Sequence, residues 1–478
     1  MNRSVHRSAL ALCAASLLIV GCGSASSTTD AGADASAPQD VVTARDVVSS
    51  PDAASSPDAV SSPDAAVAQD VVTPPADVPA GTDAASPADG GAFPAMPAVV
   101  PTSAMGHDRL FGVVWDNAAR FYAAGVVADS TDAMADVRTQ VRRFLADGSP
   151  DMTWGTMGVA TRNLATGTNG EVTRGIVVQR SGKVVVLATV EHAGAMDARD
   201  RDIALARFNP DGTPDSTFGT NGVVTLDLSD GVLDGTTYVA DTAWGLAAYP
   251  DDRLVVTGAR KRDGATDTDF AVVRLTADGA RDATFGTNGV ASVDVNNRSA
   301  SPRTASVLAD GSIVMAGYMT DGGVVKPVLF KLTNAGQLDT TFGTGGIYTE
   351  TVLAVATEAY AARLQGTSFV TAGYGRATSM ESIDWLSLRI SATGTRDLTY
   401  GNMGVTRLDR MGFADNARDL VILPDNRVMM VGGGRSTETD SDGMIAVLTA
   451  NGQLDTTWGT MGRRVFDFGG ASDFFWAV

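Results

Sequence analysis

Arginine recurs at one position of a unit that this chain repeats, at the start of the unit's first predicted strand. A guanidinium binds carboxylates and phosphates through paired hydrogen bonds, so several arginines around one channel would form an anion site. Trp244 takes this position in another unit. The alternative is that an aspartate of the same unit neutralises each arginine, Asp202 in the second unit and Asp442 in the last. The aligned arginines are Arg109, Arg174, Arg303 and Arg418.

Oxygen-rich loops between the second and third predicted strands are another candidate for chemistry. Ca²⁺ takes six to eight oxygen ligands, but the spacing of the acids differs from loop to loop, and none matches the calcium-loop pattern. We therefore expect a solvated acidic rim and predict no metal site. The third strand starts with a shared aspartate in four units and with Arg138 or Lys326 in the other two. The loops are 128–136, 197–202, 263–269, 379–384 and 437–443, and the shared aspartates are Asp202, Asp269, Asp384 and Asp442.

Groups suited to covalent or acid–base catalysis are scarce. Beyond residue 21 the chain has two histidines, His107 and His192, and one cysteine, Cys22. It has no G-x-S-x-G elbow, H-E-x-x-H helix or phosphate-binding loop. We therefore predict a binding module without a cofactor. The alternative is a hydrolase or lyase with its active site among the loops, because a carboxylate pair for glycoside cleavage stays open there, although no two aspartates stand out.

A short phrase recurs six times and sets the period of the chain: a turn, then Asp-x-Thr, an aromatic residue and Gly. Successive aromatic residues lie roughly 60 residues apart, which indicates one supersecondary unit used repeatedly. Because a site that is used once would not be copied into every unit, we interpret the motif as structural, with the aspartate capping a turn and the aromatic residue wedged between units. The motif residues are Asp151 and Trp154, Asp215 and Phe218, Asp282 and Phe285, Asp339 and Phe342, Asp397 and Tyr400, and Asp455 and Trp458.

Each unit contains four short apolar runs separated by Gly, Pro, Asp and Asn, which predict strands joined by tight turns. Four antiparallel strands repeated six times are typical of a β-propeller. We therefore predict an all-β fold, a propeller of six four-stranded antiparallel blades, over residues 106–478. A β-solenoid and a row of separate hairpin domains are the weaker alternatives.

The phrase L-D-x-T-F-G-x-x-G, which follows a D-G turn, resembles the delta-60 repeat of bacterial β-propeller proteins over about residues 106–470. That resemblance implies a propeller in exported or surface proteins and no settled activity. Ring closure stays open. Six blades with a surplus strand at 472–478 are the first expectation, and a seventh blade completed by Pro97–Val100 and the C-terminus is the second.

Residues 1–21 predict a signal peptide, with Arg3 and Arg7 before an apolar run at 9–20. The sequence Ile19-Val20-Gly21-Cys22 resembles a bacterial lipobox, which implies cleavage before Cys22 and acylation of its sulfur. An ordinary signal cleaved later and a membrane-spanning anchor are the alternatives. Gly23 favours delivery to the outer membrane by resemblance to other lipoproteins; the side of the membrane stays open.

Residues 22–105 are rich in Ala, Asp, Ser and Pro and predict a disordered tether, with O-glycosylation as an open addition. The net charge of −19 argues against nucleic acid. We expect a monomer that contacts the membrane through its lipid and binds an unknown protein, polysaccharide or small anion.

Overall fold

The computed structural model describes residues 109–116, 120–128, 136–165, 170–191, 201–229, 241–261, 267–438, 440–467 and 473–478. This part of the chain forms strands and turns, and it contains no helix long and apolar enough to cross a membrane. The predicted signal peptide, the tether with Cys22, and the segment Pro97–Val100 lie outside the described residues.

The described residues form twenty-four strands, which make six blades of four. Blade 1 consists of β1 (Arg109–Trp115), β2 (Arg120–Ala128), β3 (Val137–Leu145) and β4 (Val159–Arg162). Blade 2 consists of β5 (Glu171–Val178), β6 (Val184–Glu191), β7 (Arg201–Phe208) and β8 (Val223–Leu226). Blade 3 consists of β9 (Thr242–Ala248), β10 (Leu254–Arg260), β11 (Asp269–Leu275) and β12 (Val290–Val293).

The second half of the chain repeats the pattern. Blade 4 consists of β13 (Ala300–Val307), β14 (Ile313–Asp321), β15 (Val324–Leu332) and β16 (Ile347–Thr349). Blade 5 consists of β17 (Ala356–Gln365), β18 (Ser368–Arg376), β19 (Asp384–Ile390) and β20 (Val405–Leu408). Blade 6 consists of β21 (Asp415–Ile422), β22 (Val428–Arg435), β23 (Ser441–Leu448) and β24 (Arg463–Phe466).

Each blade pairs its strands antiparallel in chain order, which confirms the predicted all-β propeller blades. Because consecutive strands of a blade run in opposite directions, the connections between them lie on two opposite faces of the propeller. The loop face carries the connections from second to third strand and from one blade to the next. The motif face carries the first hairpin of each blade and the connection from third to fourth strand, where the repeated phrase lies.

The apolar core lies between the blades, because alternate residues of each strand point toward opposite neighbours. Leu205 of blade 2 and Val256 of blade 3, for example, belong to one buried cluster. Five junctions also share a hydrogen bond, in which the glycine after the motif aromatic donates to a turn carbonyl of the following blade. The first of these runs from Gly155 N to Asp211 O at 2.8 Å, and the fifth from Gly401 N to Asn451 O at 2.8 Å.

The C-terminal segment 473–478 lies between blade 6 and blade 1. Asp473 N donates to Ser441 O at 2.6 Å and Phe475 N to Gly432 O at 3.2 Å, so the segment lies on blade 6. The ring of Trp476 meets that of Phe111 in β1 at 5.2 Å. The surplus C-terminal residues therefore occupy a position between the sixth and first blades, as a lone segment outside the 24 strands.

Candidate functional site

The repeated motif builds the same turn in all six blades. In each, Oδ1 of the aspartate accepts hydrogen bonds from the backbone N–H and the hydroxyl of the threonine two residues later; for Asp151 these are 3.1 and 2.5 Å from Thr153. The same pair of bonds recurs at the other five motif aspartates. The motif aromatics are at most 3% exposed, so each is wedged into a blade junction.

The other oxygen of each motif aspartate pairs with a cation. In blades 1 to 5 that cation ends the third strand, as Arg207 does with Asp215 at 2.7 Å. Blade 6 has Val447 at this position, and Arg427, in the hairpin directly before β22, reaches Asp455 at 3.0 Å. The hydroxyl and backbone hydrogen bonds and the cation, acting against burial, lower the pKa of Asp282 to about 2. These pairs hold the turn in place.

A β-bulge interrupts the innermost strand of every blade, and the extra residue alternates between aromatic and arginine around the propeller. A bulge re-aims one side chain out of the strand's regular alternation. Together with Trp476 of the C-terminal segment, we call these side chains the bulge ring. The six bulge residues are Phe111, Arg174, Trp244, Arg303, Tyr360 and Arg418.

Neighbours in the bulge ring stack on one another. The guanidinium of Arg174 lies 4.7 Å from the Trp244 ring, and that of Arg303 lies 3.9 Å from Trp244 and 4.9 Å from Tyr360. Arg418 lies 4.6 Å from both Tyr360 and Trp476. Such cation–π contacts are each worth about 2 kcal/mol when desolvated. The ring therefore links six blades and the C-terminus at the axis of the propeller.

The bulge ring changes two expectations about the arginines. Arg109 is not aligned with the others, because it lies two residues before the bulge, whose residue is Phe111. Own-blade neutralisation is also wrong for Asp442, which pairs with Arg410 at 2.6 Å. Arg303 instead pairs with Glu358 of the next blade at 2.6 Å.

Burial further limits what the ring can bind. Arg303 is 3% exposed and Arg418 is 4% exposed, while Trp244 and Tyr360 are 7% and 8% exposed. The faces of these four side chains are covered by each other, whereas Phe111, Arg174 and Trp476 are half-buried. An anion would have to displace stacked aromatic rings to meet both guanidiniums.

Carboxylates gather at four blade junctions on the loop face. Each group contains an aspartate at the start of the third strand and one directly after the fourth strand. The third member lies at or before the next innermost strand in two groups, before the third strand in another, and in the C-terminal segment in the last. One oxygen from each residue of a group lies within 4.8 Å of the others. In blades 1 and 4 Arg138 and Lys326 take the third-strand position. The groups are Asp202 with Asp227 and Asp241, Asp267 with Asp269 and Asp294, Asp384 with Asp409 and Asp415, and Asp442 with Asp467 and Asp473.

Burial makes several of these acids weak. Asp415 has no exposed surface, and its burial, reinforced by the charges of Asp409 and Asp384, raises its pKa to about 8. Burial raises the pKa of Asp384 to about 6 in spite of its ion pair with Arg407. Burial likewise raises the pKa of Asp241 to about 6. Near neutral pH this face can therefore hold protonated carboxyl groups, and a group of three could also offer oxygens to a cation.

The surface of the propeller is not uniform. Within the described residues, every exposed large hydrophobic side chain belongs to blades 5, 6 and 1 or to the link between blades 5 and 6. Eight lie on the motif face by strand direction, and we call the six at the end of β1 and in the motif turns the apolar arc. Sequence reasoning missed them, because the motif positions concerned vary freely between polar and apolar residues. The arc consists of Trp115, Met152, Met157, Leu398, Met403 and Met461.

Three methionines of the apolar arc sit at one aligned position with left-handed backbone. Met157, Met403 and Met461 have φ of 54°, 53° and 52° and are 68%, 72% and 58% exposed. Blades 2 to 4 have the same backbone with Asn221, Asn288 and Gly345. Glycine and asparagine enter this region readily, whereas other residues lose roughly 1–2 kcal/mol there. The three methionines therefore carry strain that burial in the fold does not offset.

Comparison with known proteins supports a β-propeller repeat family. The profile of a family described as "Domain of unknown function (DUF5122) beta-propeller" matches residues 179–218, 250–285 and 308–342. No curated protein resembles the chain closely enough in sequence to count as a match.

Several solved structures are similar to the chain in fold alone. A mutant of the NanB sialidase from Streptococcus pneumoniae has a TM-score of 0.39 and 9% identity, over 68% of this chain and 64% of that one. Sqt1 from Chaetomium thermophilum has a TM-score of 0.36 and 11% identity, over 74% and 84%. A polysaccharide lyase, an ulvan lyase bound to its sugar, has a TM-score of 0.40 and 8% identity, over 78% and 80%. The chain thus spans just under two thirds of the sialidase.

Proposed function

We propose that this chain is an exported, membrane-anchored lipoprotein whose propeller is a binding module. Cys22 is the proposed lipid site and residues 22–105 the tether, with the outer membrane as the destination. We also propose that the six units are delta-60 repeats, because the L-D-x-T-F-G phrase returns at a regular spacing along the chain.

The observation that carries a binding role is the uneven surface. A repeat array that served only as structure would have no use for exposed, strained methionines in three neighbouring blades and asparagine or glycine in the others. Exposed apolar groups that gather on one face indicate an interaction surface. The burial of Arg303 and Arg418 supports the same view, since a ligand would meet a face of the propeller before these guanidiniums.

A ligand screen tests the binding role. The mature chain with Cys22→Ser would be heated with citrate, phosphate, Ca²⁺ and polysaccharide fragments, and products would be sought in the same mixtures. A ligand at 100 times its Kd adds about 2.7 kcal/mol, about 3 °C for a domain of this size. We expect a shift without product. No shift with any of these ligands would contradict a binding module.

An anion site at the bulge ring is tested in the same screen. Arg174→Ala/Arg303→Ala/Arg418→Ala would abolish a citrate or phosphate shift if the anion reached the ring. A shift that survives in this variant would place the anion elsewhere.

The second candidate is a hydrolase or lyase on the loop face. The observation in its favour is the buried carboxyl of Asp415, whose pKa of about 8 would let it hold a proton at neutral pH beside the carboxyl of Asp409. Product formation from a polysaccharide fragment that is lost in Asp415→Asn and retained in Asp425→Asn would favour this function over binding alone.

A further inference from the structure

The apolar arc has a composition and a placement that suit a lipid surface. Its turns come from blades 5, 6 and 1, which adjoin one another through the contact of Trp476 with Phe111. All six side chains lie on the motif face by strand direction. Methionine is flexible and polarisable, and tryptophan favours the boundary between water and lipid.

The proposed lipid site and tether bear on how this face would meet a membrane. If Cys22 carries lipid, the tether at 22–105 joins the membrane to the propeller. A chain of that length can span far more than the propeller's own width, at up to roughly 3.3–3.6 Å per residue, so either face of the propeller can reach the bilayer. The anchor supplies attachment, and it leaves orientation to the surface of the propeller.

We infer that the apolar arc seats the propeller on the lipid surface to which Cys22 tethers it, so that the loop face points away from the membrane. This inference rests on the proposed lipid anchor. The occupant is a lipid surface, because the arc's side chains sit on separate turns in place of one groove. A fluid surface accommodates separate turns, whereas a folded partner would have to match each of them. The net charge of −19 favours zwitterionic over anionic lipid.

The strained methionines provide a clean perturbation. Asn221 and Asn288 show that the same turn accepts asparagine with φ of 54° and 52°. The triple variant Met157→Asn/Met403→Asn/Met461→Asn should therefore fold at least as stably as the parent while it loses apolar reach. Met380→Asn is the matched control, because Met380 is 94% exposed and lies on the loop face.

The test uses the unlipidated mature chain, with Cys22→Ser, so that binding by the arc is measured without the anchor. Phosphatidylcholine vesicles that contain a nitroxide-labelled lipid would be titrated, and tryptophan quenching recorded. Trp115 is the reporter because it is 43% exposed, and Trp115→Phe should remove the quenching. We expect partition of the parent and of Met380→Asn, and at least a tenfold weaker partition of the triple variant.

Two results would overturn the inference. Equal partition of the triple variant and parent would show that the arc is not the seat. Absence of partition by the parent, with methionine-dependent crosslinking to an envelope protein, would assign the arc to a protein partner. Either failure is separate from failure of the lipid anchor, which is read from the N-terminus of the native chain.

Discussion

Asp415 is fully buried and faces two other carboxylates at the junction of blades 5 and 6. A carboxyl whose folded pKa is raised from 3.8 to about 8 binds its proton more tightly in the folded state. Its contribution to stability is complete below about pH 4 and is lost as the pH rises through 8. The slope is about 1.4 kcal/mol per pH unit. Between pH 5 and pH 8 the parent should therefore lose about 4 kcal/mol through this residue alone.

Asp415→Asn removes that dependence. In the parent, the backbone N–H groups of Arg410 and Arg435 donate to the two carboxylate oxygens of Asp415 at 2.5 and 3.1 Å. In the variant, the side-chain NH₂ group of the asparagine must face one of these two donors. That mismatch lowers stability at every pH, so it cancels when two pH values are compared. For a domain of about 370 residues, a change of about 4 kcal/mol corresponds to about 5 °C in Tm.

The assay is thermal unfolding of parent and variant at pH 5 and pH 8 by circular dichroism. We expect the Tm difference between the two pH values to be about 5 °C smaller in the variant. Asp425→Asn, on an exposed hairpin where Arg427 lowers the carboxyl's pKa, is the control and should keep the parent's difference. If Asp415→Asn keeps it too, the carboxyl of Asp415 is ionised in the fold and the reasoning fails.

Three further predictions follow from the same structure. Arg303→Met leaves Glu358 buried without its cation and should cost about 3–5 kcal/mol in urea unfolding; Arg303→Met/Glu358→Gln should recover part of it, and a single variant as stable as the parent would contradict the buried pair. Gly279→Ala should cost at least about 2 kcal/mol, because its φ is 88° and an added Cβ would lie 2.6 Å from Val224 and 2.8 Å from the Phe218 ring. Gly322→Ala, with φ of 61° and no atom within 4 Å, should cost about 1 kcal/mol, and equal losses at both glycines would refute the packing argument. Met157→Asn should raise Tm slightly because it relieves left-handed strain, whereas a fall would show that Met157 packs in the fold.

Much of the fold could be predicted from the sequence, because the turns of each unit are marked by residues that favour tight turns. Asp-Gly and Asn-Gly mark the hairpins, and the fixed period between motif aromatics gives the blade count. The motif aspartate could be assigned to structure for the same reason, since it recurs with its threonine in all six blades.

The functional surface was harder to predict, because it depends on three-dimensional register. In the sequence alone Arg109 aligns with the other arginines, but the bulge places Phe111 at the equivalent position. A signal was present in Gly112, Gly175 and Gly245, since a glycine directly after the bulge residue marks a close approach of two blades. Tyr360 and Trp476 belong to the ring although no glycine follows either of them. Arg427 supplies the cation that blade 6 lacks at the end of its third strand. This ion pair likewise cannot be predicted until the hairpin before β22 is placed beside the motif turn.

Membrane anchorage through Cys22 is the claim on which the account most depends, and mass spectrometry of the N-terminal peptide tests it most directly. The native chain would be isolated from the membrane fraction of its host and digested. We predict a mature N-terminus at Cys22 that carries a diacylglyceryl group, and release of the chain to the soluble fraction in Cys22→Ser. A mature N-terminus at any other residue, or an unmodified Cys22, would contradict the account.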